Sequence, residues 1–198
     1  MSNHRLPVLM VHGLNDTTAI FNRLAPYLKQ QGWSIYDINL IPSNGDFTLQ
    51  QLALQLEKSI AQNFAPNQYF DLIGLSMGGI VSRYYLQRMG GIRRVKRFIT
   101  LGSPHHGTVT AYLSQRPGCL QMRPDSDLIQ DLNSDAEMLK QINFTSIWTP
   151  FDLMIVPAIS SQMPVGQSIE IPVLSHAWIS RDKRSLEAVA EALSAPVK

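Results

Sequence analysis

The chain predicts an α/β fold: a mostly parallel six-stranded sheet with helices on both faces and one short insertion. Three observations lead there. Short apolar runs alternate with longer segments of helical period, the pattern of strands joined by crossover helices. The candidate strands, such as PVLMV and FITL, are apolar without alternation, as expected when helices cover both faces. The chain has 198 residues, 44% of them hydrophobic, enough to bury a core and form one domain over residues 1–198.

Taken in order, the first strand runs from Leu6 to Val11. Ile20, Phe21, Leu24 and Leu28 then recur at three- and four-residue spacing before Gly32, a helix with its stop. Ser34 to Asn39 is the second strand. Leu49, Leu52, Ala53, Leu56, Ile60 and Phe64 mark one face of the next helix, and Thr48 with Gln51 forms its capping box. The third strand is Tyr69 to Gly74, followed by small residues and a helix. The basic cluster Arg93, Arg94, Lys96 and Arg97 reads as the solvated lead-in to the fourth strand, Val95 to Leu101. From Thr110 to Gln141 the rhythm breaks, with Pro117, Gly118, Pro124 and several Asp and Ser residues around helical fragments at Leu128, Ile129, Leu132, Met138 and Leu139. That is more chain than one crossover needs, so it is expected to be a cap or lid-like insertion over the sheet edge or its upper rim. Strands at Phe144 to Thr149 and Ser168 to Ile171 follow, then a last helix from Arg181 to Leu193.

Composition narrows the function. Charged residues are 16% and the net charge is +2, too mild and scattered for a nucleic-acid partner. Cys119 is the single cysteine, so an internal disulfide is impossible and a reducing compartment fits. The start MSNHRLPVLMVHG passes directly into an apolar strand with no leader pattern, and no run approaches the roughly 20 apolar residues of a membrane span. The expectation is a cytoplasmic protein.

The chemistry centres on Gly74-Leu75-Ser76-Met77-Gly78. This G-x-S-x-G lies after an apolar strand and before a helix, where a sharp turn can expose a serine hydroxyl and where glycines two positions either side avoid a clash. A serine nucleophile needs a histidine to take its proton and a carboxylate to hold that imidazole. The order Ser, acid, His at strand ends is met by Asp152, just beyond the fifth strand, and His176, beyond the sixth. Asp71 falls within a strand, where it would be buried or at the wrong end, and Asp182 at a helix start, while Asp125, Asp127, Asp131 and Asp135 belong to the insertion and read as solvated. His4 is in the terminal tail, and His12, His105 and His106 precede the acid in the chain. Backbone donors for an oxyanion are the amides of Met77, which follows the serine, and Leu14, in the loop after the first strand, which His12 is expected to brace. No cofactor is called for, and no closely spaced ligand set suggests a metal; the His105-His106 pair alone is weak.

The motifs PVLMVHGL, DLIGLSMGG, ITLGSPHHGT and DLMIVP, with the late His176, together resemble the α/β-hydrolase lipases and esterases, in particular the small bacterial lipases with a minimal sheet. The resemblance implies carboxyl-ester hydrolysis through an acyl-enzyme, with Ser76, Asp152 and His176 as triad and the amides of Leu14 and Met77 as oxyanion hole. It gives Gly102 to Thr108 a supporting place at the rim. The chain departs from larger lipases in lacking a calcium pair and a long lid domain, and from the smallest in carrying the insertion. The same machinery serves acyltransferases and thioesterases, and a binding protein can keep the fold without catalysis.

Apolar residues near the strand ends, Leu14, Met77, Met154, Ile155 and Met163, together with Met122, Leu128, Ile129 and Leu132 of the insertion, suggest an acyl-binding slot. Met154 and Ile155 are the named substrate-binding candidates. The expected partner is a small-molecule or lipid ester, with transient contact with lipid surfaces and no protein partner.

Overall fold

A computed structural model describes residues 5–198; His4 lies outside them. Six strands form one sheet in the order β2-β1-β3-β4-β5-β6: β1 Val8–Val11, β2 Ile35–Ile38, β3 Phe70–Leu75, β4 Val95–Leu101, β5 Asn143–Trp148 and β6 Gln167–Glu170. All five neighbouring pairs are parallel, so the sheet is wholly rather than mostly parallel. Its strands lie within two residues of their sequence-predicted bounds.

Parallel strands need crossovers, and α1 Leu24–Gln30, α2 Leu49–Asn63, α3 Met77–Arg88, α4 Pro117–Leu120 and α5 Asp127–Ser134 lie on them, while α6 Lys183–Ser194 follows the last strand. None is long and apolar enough to cross a membrane. Because side chains alternate across a strand, β1 sends Leu9 and Val11 into one core and Val8 and Met10 into the other. The first core lies under α2, α3 and the insertion, the second under α1 and α6.

Local chemistry explains the element ends. Thr48 and Gln51 form the capping box of α2 as expected. The helix expected across Ile20 to Leu28 is instead two pieces, a 3-10 turn Thr18–Phe21 and α1. Pro26 is the reason: in the middle of a continuous helix it would remove a hydrogen bond and clash one turn back, whereas in the first turn of α1 it is tolerated. Gly32 adopts φ 93° just past α1, the left-handed stop that glycine permits. The last helix begins at Lys183, with Asp182 outside it as the cap, accepting the Arg184 N–H.

Half of the insertion lies away from the sheet edge and rim. This is its second half, which packs on α3 rather than over a sheet edge. Fully buried Arg83 donates to the Leu132 carbonyl at 2.6 Å and to Asn133, Gln87 donates to the same carbonyl at 2.7 Å, and Arg88 pairs with Asp131 and Asp135. The carbonyls at the end of α5 thus meet donors and cations, which the helix dipole favours. Asp131 and Asp135 are therefore ion-pair partners, not merely solvated. The first half, residues 110–123, stays at the rim of the sheet, where Thr110, Ala111, Leu113 and Met122 line the cavity.

Candidate active site

Ser76 follows β3 directly, its N–H donating to the Leu101 carbonyl at the end of β4 at 2.9 Å. It adopts φ 53°, ψ −125°, a region disfavoured for a residue with a Cβ, so surrounding structure must impose it. Four glycines make the space. A Cβ at Gly74 would strike the Gly79 backbone, one at Gly78 the Val11 and His12 carbonyls, one at Gly79 the Ser103 side chain, and one at Gly13 would stand 2.9 Å from the Ser76 Cβ. Gly74 and Gly78 carry the expected role. Gly79 and Gly13 were missed, although SMGG and VHGL display them openly.

Asp152 lies in the loop after β5, nearly fully buried. Its Oδ1 accepts the N–H groups of Met154 and Ile155, each at 2.9 Å, and its Oδ2 pairs with His176 Nδ1 at 2.7 Å. With Nδ1 donating to a carboxylate, Nε2 is left as the basic nitrogen. His176 and Ser76 both line one cavity of about 460 Å³. Among the described residues, neither His176 Nε2 nor Ser76 Oγ has a hydrogen-bond partner, a looseness common before substrate binds. Gly102, at φ 52°, allows the imidazole its place: a Cβ there would lie 3.1 Å from the ring and 3.3 Å from Asp152 Oδ2.

The backbone N–H groups of Leu14 and Met77 likewise have no partner among the described residues. Met77 opens α3, where first-turn donors are free by construction. Leu14 follows Gly13 in the loop that passes against Ser76. His12 braces this loop: its Nε2 accepts the Leu40 N–H at 2.9 Å, which leaves Nδ1 to donate to the Gly13 carbonyl at 2.9 Å. Burial pushes its pKa down, so it stays neutral.

Two of the other candidates, Asp71 and His105, are occupied elsewhere. Asp71 is buried at the far end of β3, bonded to the Arg97 guanidinium and N–H at 3.0 Å each. Arg97 also donates to the Ala195 carbonyl, so this member of the basic cluster is a structural partner and not a solvated lead-in. His105 is wholly buried, bonded to Thr100 Oγ1 at 2.9 Å, and burial drives its pKa far down. Among the described residues, no group of three or more His, Cys, Asp or Glu side chains could hold a metal ion.

Leu14, Met122, Met154 and Ile155 line the cavity. Met77, Leu128, Ile129 and Leu132 do not; they are packed in the core under α2 and α3, because their helices turn those faces inward. Met163 borders a separate surface hollow with His106 and Pro157. Larger hollows of about 790 and 730 Å³ open near Arg94 and Lys96, and neither carries a histidine. Thr108, expected only in a supporting place at the rim, has a definite structural role. Its hydroxyl accepts the Val156 N–H at 2.8 Å and donates to the Met154 carbonyl at 3.0 Å, which fastens the loop holding Asp152.

A family model described as palmitoyl protein thioesterase matches residues 7–148. In shape the chain is similar to a mature-form lipase of Bacillus licheniformis, with TM-score 0.80 and 17% identity over 98% of this chain and 94% of that one. It is also similar to lipase B of Aspergillus fumigatus, with TM-score 0.84 and 17% identity over 99% and 54% of the two chains. An extracellular α/β-hydrolase from a Paenibacillus species matches with TM-score 0.68 and 16% identity over 94% and 98%. The fold is that of the α/β-hydrolases.

Proposed function

The chain belongs to the palmitoyl protein thioesterase family, and from that premise we propose that it cleaves acyl esters through a covalent acyl-enzyme on Ser76. Family and fold make it an enzyme that hydrolyses esters or thioesters. The observation that carries the finer reading is the 2.7 Å bond from His176 Nδ1 to Asp152 Oδ2 at a cavity that Ser76 also lines.

In this mechanism Ser76 Oγ attacks the acyl carbonyl carbon while its proton passes to His176 Nε2. Asp152 holds the tautomer and stabilises the imidazolium. The developing oxyanion is met by the N–H groups of Met77 and Leu14. His176 then protonates the leaving group, and a water activated by the same nitrogen releases the acid. The cavity is of ligand-binding size, and Leu14, Ile20, Ala111, Leu113, Met122 and Ile155 make its wall largely apolar. That wall supports medium or long acyl chains, since each buried methylene contributes up to ~0.8 kcal/mol. Leu113 and Leu153, which line the cavity while 90% and 81% exposed, support transient contact with lipid surfaces.

The family match favours a second reading, thioester cleavage by the same groups. Rates across p-nitrophenyl esters from acetate to palmitate, beside acyl thioesters of the same lengths, test both. Selectivity rising with chain length is expected. Acetate as the best substrate would remove the acyl slot, and a strong preference for the sulfur series would make the thioester the substrate. Labelling of Ser76 by a fluorophosphonate separates catalysis from mere binding, and products formed with added alcohol reveal acyl transfer.

A further inference from the structure

We propose that Thr149 is a positioning residue that couples the loop carrying Asp152 to the loop carrying His176, an inference that rests on the triad reading above. The β5–β6 ladder ends at the pair Trp148↔Glu170, and one more bond, from the Ile171 N–H to the Trp148 carbonyl at 2.8 Å, closes the sheet. Beyond it the two loops part company. Thr149 is the first residue past β5 and is fully buried. Its hydroxyl donates to the Val173 carbonyl at 2.6 Å and accepts the Phe151 N–H at 3.3 Å.

Those two contacts are well placed to set the acid and the base against each other. Phe151 is the residue before Asp152, and Val173 stands three before His176. Among the described residues this is the one hydrogen bond between residues 149–156 and 172–176 besides the Asp152–His176 bond itself. The far side of the acid loop is fastened to a different neighbour, through Thr108 on Met154 and Val156. The base loop has fewer anchors of its own: Leu174 and Trp178 are exposed while Ile179 is buried. One hydroxyl that both donates and accepts therefore joins two loops that backbone pairing leaves apart. Valine would keep the shape and lose both bonds, leaving the buried Val173 carbonyl unpaired.

The test is kcat and KM on the best p-nitrophenyl ester for wild type, Thr149→Val, Thr149→Ser and Ser76→Ala, with a melting temperature for each. Thr149→Val is expected to lower kcat about ten- to hundred-fold, the scale of a misplaced catalytic group, with KM within about threefold. Thr149→Ser, which keeps the hydroxyl, should restore kcat to within about threefold of wild type even where its melting temperature is lowered. Wild-type kcat in Thr149→Val, or an equal loss in Thr149→Ser, would overturn the coupling. Should Thr149→Val not fold, Thr149→Ala against Thr149→Ser makes the same comparison, since both lack the methyl and differ by the hydroxyl. Turnover persisting in Ser76→Ala would defeat the triad itself, whereas an inactive Ser76→Ala beside a fully active Thr149→Val defeats the coupling alone.

Discussion

The two halves of the candidate site are built by opposite means. Around Ser76 the geometry depends on side chains that are missing: Gly13, Gly74, Gly78 and Gly79 let β1, β3 and α3 approach until a single Cβ would collide. Around Asp152 and His176, apart from the space left by Gly102, it depends on side chains that are present, the Thr108 and Thr149 hydroxyls, which tie loops that share no ladder. Close backbone packing is stiff and contiguous, so it can hold a residue at φ 53°. Hydroxyl ties hold separate chain segments and can be removed one at a time. The first half should therefore fail through the fold when altered, the second through kinetics.

The largest effect should come from Ser76→Ala, which removes the proposed nucleophile without touching the glycine packing. Ester hydrolysis should fall by up to about a million-fold with a nearly unchanged melting temperature; residual turnover above about a thousandth would count against the nucleophile. Asp152→Asn should cost on the order of 10⁴ in kcat, since an amide at that position can favour the wrong imidazole tautomer. Comparable loss from Asp182→Asn or Asp127→Asn with an active Asp152→Asn would move the acid elsewhere.

Gly79→Ala probes the stiff half. The new methyl meets the Ser103 side chain, and overpacking of this kind costs about 1–3 kcal/mol. Chemical denaturation should show that loss, and Ser103→Gly in the same chain should recover part of it. No recovery would mean that the elbow is not limited by this contact.

The smallest effect on activity is expected at the opposite end of β3. Burial pushes the Asp71 carboxyl up to about 6 against the pull of Arg97. A carboxyl whose pKa is higher in the folded than in the unfolded chain favours folding while protonated. Its contribution is full below about 4 and lost as pH rises through about 6. Wild type should thus lose stability, by at most about 3 kcal/mol, between pH 4 and 7 on account of this group. Asp71→Asn should flatten that part of the pH dependence in thermal melts while leaving kcat near wild type. An unchanged slope would show that Asp71 stays ionised with Arg97 throughout.

How much of this was legible beforehand follows the same division. The elbow is written in consecutive residues, GLSMGG, so its serine and two of its glycines could be read directly. Strand limits were likewise close, because apolar runs and helical periods are local signals. Pro26, also in plain view, split the first helix by a local rule that hydrophobic spacing alone overlooked.

The amino-acid sequence by itself determined the six strands, the capping box of α2 and the order along the chain of the candidate serine, acid and histidine, since each rests on neighbours within a few residues. Only the tertiary structure decided which apolar residues face the cavity and which fill the core, that the second half of the insertion is held on α3 by Arg83, Gln87 and Arg88, and that Thr108 and Thr149 tie the acid loop. Those outcomes join positions tens of residues apart, 43 to 50 between α3 and the insertion and 24 between Thr149 and Val173. Such pairings exist only once the sheet has brought the strand ends together.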